Sequence, residues 1–181
     1  MRDGIQAIQA ALPDSADDIR ANLGAVLDEA GSSLSRAQRW GVALASAAAV
    51  RSPRLLEAVR EEAKAHVSEE VLEDALAAAA IMAMNVVYYG FQHMVHKEAY
   101  ATRLPGLRMQ RMAKPATSRR DFELFSLAVS AIYGCHPCVV GHERALTEGE
   151  GSLSADQVHD AIRIASTMHA AAVGLDAAEA P

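Results

Sequence analysis

The chain has two cysteines, three positions apart, in the run Tyr133-Gly134-Cys135-His136-Pro137-Cys138. A glycine that closes one helix, followed by a proline suited to the first turn of the next, puts the pair at a helix N-terminus. Unpaired N–H groups and the helix dipole favour an anion there, so a thiol with a free pKa of about 8.5 shifts toward neutrality and gains thiolate character. Two intervening residues let the sulfurs close into a disulfide with little backbone movement, the geometry that thiol–disulfide exchange revisits in every cycle. His142 follows Cys138 by four residues, on the same helical face, and can accept a proton. Glu123 precedes Cys135 by twelve residues, and a tight turn at Gly134 folds its helix back antiparallel, bringing the carboxylate alongside the imidazole. Carboxylate, imidazole and thiol in this order form a chain that activates a sulfur nucleophile.

The same residues admit other uses. Cys135, Cys138 and His142 offer three zinc ligands and Glu123 a fourth, although no second CxxC is present. An inert buried pair is a further reading. His136, between the sulfurs, raises thiolate character when protonated, or simply faces solvent. His93 and His96 have the spacing of a two-histidine ligand pair and equally that of ordinary packing residues, while Met82, Met84 and Met94 read as core or subunit-contact filler. Nothing in the spacing separates the roles of the two sulfurs.

The elements that must hold these groups are helical. Alanine supplies roughly a fifth of the 181 residues, aromatic residues only 4%, and strand-like alternation is scarce. The expected fold class is all-α, with helices over 16–27, 36–50, 53–66, 69–84 or a little beyond, 120–133, 137–146 and 155–173. Ser35 or Leu34, Ser52, Ser68 and Ser154 precede helix starts, and Pro53 and Pro137 suit first turns. Sliding the chain against itself by 84 residues lays Leu44-Ala45-Ser46-Ala47 over Ala128-Val129-Ser130-Ala131 and Pro53 over Pro137, and a slide of 86 lays Ser68, Asp74 and Met82 over Ser154, Asp160 and Met168. One domain over 1–181, built from two pseudo-symmetric helical repeats at about 16–100 and 120–174, is the expected organisation. In this register Arg51, Arg54, Ala58 and Arg39 fall where Cys135, Cys138, His142 and Glu123 stand, so only the second half carries chemistry.

The connector, 101–119, is rich in basic residues: Arg103, Arg108, Arg111 and Lys114, followed by Arg119 and Arg120, with no acid among them. It reads as a solvated linker whose bases pair with acids elsewhere, or as a docking patch for an acidic protein. Residues 175–181 are expected to fray. A net charge of −6 makes nucleic acid a poor partner. The longest apolar stretch, 76–84, ends at Asn85 and falls short of the roughly 20 residues that cross a bilayer. Residues 1–12 lack the pattern of an export signal, so the cytoplasm is the expected compartment. There a lone cysteine pair is a redox or metal device more readily than a structural staple.

Glu123, eleven residues, then Cys135-x-x-Cys138 and His142, resembles the signature of the alkyl hydroperoxide reductase D (AhpD) proteins, within the carboxymuconolactone decarboxylase-like fold. The likeness extends to Ala80-Ile81-Met82-Ala83-Met84-Asn85, Pro105-Gly106-Leu107-Arg108-Met109 and Phe122-Glu123-Leu124-Phe125-Ser126, and covers nearly the whole chain, in the long, duplicated form of the family. The resemblance implies a homotrimer whose dithiol takes electrons from a dihydrolipoyl group on a 2-oxo acid dehydrogenase component, passes them to the peroxiredoxin AhpC, and reduces hydroperoxides weakly itself. It implies that Cys138 attacks peroxide and becomes a sulfenic acid, that Cys135 supplies a proton and closes the disulfide, and that His142 and Glu123 form the proton relay. The family carries histidine immediately before the second cysteine, whereas this chain has Pro137 there and its histidine one place earlier, as His136. That shift relocates the imidazole and stiffens the turn, which bears on the redox potential. The resulting expectation is an antioxidant thiol–disulfide oxidoreductase with no flavin, haem or metal bound. Its rivals are a decarboxylase or lactone-handling enzyme of the same fold, which would not require a dithiol, and a zinc or redox-sensing adaptor.

Overall fold

A computed structural model describes residues 4–179. Ten α-helices and one 3-10 turn make up its regular structure, with no strand among the described residues. They are α1 (Ile5–Ala11), α2 (Asp17–Leu27), α3 (Arg36–Ala49), α4 (Pro53–Ala63), α5 (Glu69–Val95), α6 (Glu98–Ala101), α7 (Gln110–Ala113), α8 (Arg119–Ile132), α9 (His136–Thr147) and α10 (Ala155–Glu179). The chain is all-α, as its composition implies. The central pair is α3 and α8, packed on each other and on the two long helices α5 and α10, while α4 and α9 flank them. Gly41 is what lets α3 and α8 approach: a methyl group there would overlap the Phe125 ring.

Side-chain caps set the helix starts. Ser35 Oγ accepts from the Gln38 N–H at 3.2 Å while Gln38 Oε1 accepts from the Ser35 N–H at 3.1 Å, a reciprocal box that satisfies two N-terminal donors. Ser154 and Gln157 repeat it ahead of α10, and Ser118 Oγ accepts from the Asp121 N–H at 3.0 Å at the start of α8. Gln38 Nε2 donates to Asp121 Oδ1 at 3.0 Å, which ties the two central helices together at their N-termini.

The helix order of the first half, α3-α4-α5, recurs as α8-α9-α10. Both α3 and α8 have 14 residues. Their caps, Ser35 and Ser118, are 83 positions apart, as are Arg51 and Gly134, the residues with φ of 59° and 67° that turn the chain into α4 and α9. The structural register is therefore one residue short of the slide suggested by the Ala-Ser matches, and the expected correspondences change. Trp40, not Arg39, occupies the place of Glu123; Ser52, not Arg51, that of Cys135; Leu55, not Arg54, that of Cys138; and Val59, not Ala58, that of His142. The 86-residue offset between α5 and α10 stands, with Asp74 matching Asp160 and Met82 matching Met168.

Two buried carboxylates clasp the halves to each other. Asp74 Oδ2, on α5, accepts from the N–H and the hydroxyl of Thr117, both at 2.7 Å, just ahead of α8. Asp160 Oδ2, on α10, accepts from the N–H and the hydroxyl of Ser33 at 2.7 and 2.6 Å, just ahead of α3. Arg111 Nε and Arg163 Nη1 donate to the remaining oxygens at 2.5 and 2.9 Å. Burial pushes both carboxyls up, but the hydrogen bonds from Thr117 and Arg111, and from Ser33 and Arg163, outweigh it and hold both below their ordinary values.

Several expected boundaries move. α5 runs on to Val95, because Asn85 continues the helix and the chain first turns at His96, with φ of 49°. Residues 86–89 and His93 thus belong to this helix. At that length α5 passes the length and composition test for a membrane span that 76–84 failed, but Asp74 and Asn85 are buried along it and it packs on α3, α8 and α9 as a core helix. α4 ends at Ala63, where 3-10-type bonds from Ala65 and His66 close the chain. α10 continues to Glu179 with Leu175 buried, so 175–179 is helix rather than a frayed tail. Ala180 and Pro181, with the first three residues of the segment assessed for an export signal, lie outside the described residues. The unanticipated α1 buries Ile5 and Ile8, with Leu12 following in register.

The basic connector is largely consumed internally. Arg111 pairs with Asp74 and Glu73, and the Arg120 guanidinium donates to the carbonyls of Ala145, Leu146, Glu148 and Glu150 at 2.5 to 3.2 Å, gathering the turn between α9 and α10. Arg120→Ala is expected to lower stability by about 2 kcal/mol, since several carbonyls lose a charged donor at once, whereas Arg108→Glu should stay within about 0.5 kcal/mol. Urea denaturation of the two variants checks this.

Candidate active site

The turn between α8 and α9 presents the dithiol. Tyr133 caps α8 and its hydroxyl donates to the Ala49 carbonyl at 3.1 Å, anchoring the corner to α3. Gly134 takes the left-handed conformation that ends the helix, and the Cys135 N–H returns to the Ser130 carbonyl at 3.1 Å. Cys135 is then the N-cap of α9, with Pro137 and Cys138 in its first turn. The two sulfurs are joined as a disulfide, with Cα atoms 5.3 Å apart.

Behind the sulfurs α8 and α9 lie side by side, and Glu123 Oε2 meets His142 Nδ1 at 2.6 Å. Both side chains are nearly buried, and Arg119 Nε stands 3.7 Å from the other Glu123 oxygen. The second imidazole nitrogen, Nε2, faces the Met82 sulfur at 3.1 Å. A thioether is a weak acceptor, so it positions the ring without a strong hydrogen bond to that nitrogen. Glu123, Cys138 and His142 share one pocket of about 390 Å³, whose apolar surface includes Met82, Tyr89 and Met112. Asn85 also lines it. Cys135 does not, and is 5% exposed.

Cys135, Cys138, His142 and Glu123 are thus brought together. His136 is not drawn into that pocket: it is exposed and stacks on His93 of α5, centroids 5.5 Å apart at 21°, with His96 beside His93. Among the described residues no group of three or more His, Cys, Asp or Glu side chains is arranged to hold a metal ion. Met82, Asn85, Tyr89 and Met112 carry no site role in the sequence reading, which has Met82 as filler and Asn85 as the end of an apolar stretch, both within the family-like run 80–85; the signal for the first three is the spacing Met82, Asn85, Tyr89, which sets them on one face of α5.

Fold and site together define an all-α protein built around a redox dithiol. The model of the carboxymuconolactone decarboxylase family matches residues 98–181. Over 174 residues the chain is 57% identical to the alkyl hydroperoxide reductase AhpD of Anaeromyxobacter sp. (strain K), covering 96% of this chain and 91% of that one. It is 42% identical over 173 residues to the AhpD of Streptomyces griseus subsp. griseus, covering 96% of each, and 44% identical over 173 residues to that of Maricaulis maris, covering 96% and 98%. The chain belongs to the alkyl hydroperoxide reductase AhpD family of antioxidant oxidoreductases.

Proposed function

We propose that the chain reduces alkyl hydroperoxides through Cys138 and relays electrons from dihydrolipoyl groups to a peroxiredoxin of the AhpC type. The observation that carries this is a disulfide-forming cysteine whose pocket also contains a glutamate–histidine pair 2.6 Å apart. His142, steadied by Glu123, takes the Cys138 proton. The thiolate attacks the terminal peroxide oxygen, so an S–O bond forms as the O–O bond breaks, and the departing alkoxide takes a proton and leaves as alcohol. Cys135 then attacks the sulfenic sulfur and expels water, giving the disulfide. A dihydrolipoyl group of a lipoylated 2-oxo acid dehydrogenase component restores the dithiol by exchange and is itself oxidised to the cyclic disulfide. Dihydrolipoyl is a co-substrate in this scheme, with no resident cofactor or metal.

The apolar stripe Val87, Phe91 and Met94 on the outer face of α5, with Val87 71% and Met94 75% exposed, supports self-association, and a homotrimer is the assembly that the family resemblance implies. Return of the dithiol by a metabolic thiol is in keeping with a cytoplasmic location. The decisive experiment follows NADH consumption with a dihydrolipoamide-regenerating system and an alkyl hydroperoxide, with and without a peroxiredoxin. Turnover that requires the dithiol and rises with the peroxiredoxin is expected; none in either arm would overturn the scheme.

Glu123→Gln and His142→Gln should each lower turnover by about 10²-fold or more while leaving the melting transition in place, because general acid–base assistance is typically worth that much. Full activity in both variants would remove the relay.

A further inference from the structure

Asn85 is 4% exposed on α5, and its Oδ1 is buried with no hydrogen-bond partner among the described residues, although the side chain lines the pocket of Cys138. An unpaired carboxamide in a helical core costs stability, so an apolar side chain would serve packing better. The other half of the molecule makes that choice. At the offset of 86 residues that matches Met82 with Met168, the counterpart of Asn85 is Ala171, fully buried. Leu55, Val59 and Trp40 likewise stand where Cys138, His142 and Glu123 are in the second half. The carboxamide therefore occurs only in the copy of the environment that holds the sulfur chemistry.

We propose that Asn85 orients the hydroperoxide. The inference rests on the peroxide-reducing reading above. With the carboxamide turned so that Oδ1 faces the pocket, that atom accepts the hydrogen bond of the peroxide O–H, the one donor such a substrate has, and so holds the terminal oxygen toward Cys138 with the O–O bond in line for displacement. When the S–O bond has formed and the alcohol has left, the same acceptor receives the S–OH hydrogen of the sulfenic acid. The reductant of the other half-reaction is a dithiol that attacks the enzyme disulfide as a thiolate and brings no peroxide O–H to be held, so reductive exchange makes no use of the group.

The test separates the half-reactions. Reduced wild-type, Asn85→Ala and Asn85→Leu proteins are mixed with cumene hydroperoxide under single-turnover conditions, and sulfenic acid or disulfide formation is timed. The oxidised forms are separately reduced with dihydrolipoamide. Loss of a buried hydrogen bond to the reacting group should slow the peroxide step about 10- to 100-fold, while reduction by dihydrolipoamide stays within about twofold. Ala fits the fold at the matching place in α10, and each variant serves as its own control through the ratio of the two rates. An unchanged peroxide rate, or an equal fall in both half-reactions, overturns the role of Asn85 alone. A wild-type dithiol inert to hydroperoxide overturns the peroxide reading and this inference with it.

Discussion

Cys138→Ser is expected to abolish hydroperoxide turnover, by at least about 10³-fold, and Cys135→Ser to stop after one event with a sulfenic acid or mixed disulfide held on Cys138. Serine keeps the shape of the side chain but is not ionised near neutral pH, so the attacking anion is lost. The asymmetry between the variants comes from access. Cys138 opens on the pocket with His142 and Glu123, whereas Cys135, as the N-cap of α9, lies outside it. Without Cys135 the first chemical step survives and the second has no nucleophile. A sulfenic acid trap read by mass spectrometry distinguishes the two, and a Cys135→Ser protein that turned over with undiminished rate would reverse the assignment.

The largest expected effect on stability belongs to Asp74. Asp74→Ala strands the Thr117 N–H and hydroxyl beside a buried site and leaves the Arg111 guanidinium with Glu73 alone, and losing several hydrogen bonds to one buried charge costs about 3 kcal/mol. Against a total of about 5–15 kcal/mol, that is a large fraction. The pH dependence has a definite sign. The folded carboxyl is held below its ordinary value, so its contribution is complete above the unfolded pKa of about 3.9 and is lost as pH falls through the folded one. Urea midpoints of wild type and Asp74→Asn should therefore differ at pH 7 and draw together in strong acid. Asp160, held down in the same way, adds to the wild-type loss in that range. A gap that widened on acidification would contradict this account.

The parts legible in the sequence were those encoded locally. Helix starts could be read from Ser35 and Ser154, whose capping partners lie three residues away, and the dithiol, His142 and Glu123 from spacings that span a single hairpin. What escaped depended on distant chain. Met82 and Asn85 reach the pocket from α5, and the acceptors that occupy Arg120 are carbonyls 25 to 30 residues further on. The repeat register slipped by one because alanine and serine matches outweighed the caps and the two left-handed residues, which are what set where α3 and α8 begin and end. The reach of α5 beyond Asn85 was missed because a polar residue in an apolar run looks like an end, whereas here it faces the pocket.

The exchanged aspartate clasp makes each half the other's scaffold. The approach to α8, which bears Glu123 and leads into the dithiol, is fastened by a carboxylate from the half that has no thiols, and the approach to α3 is fastened by a carboxylate from the half that has them. The thiol-free half is thus no passive remnant: severing the chain between α5 and α8 should yield two pieces that fold only in each other's company, and a lesion in either one will be felt at the sulfurs.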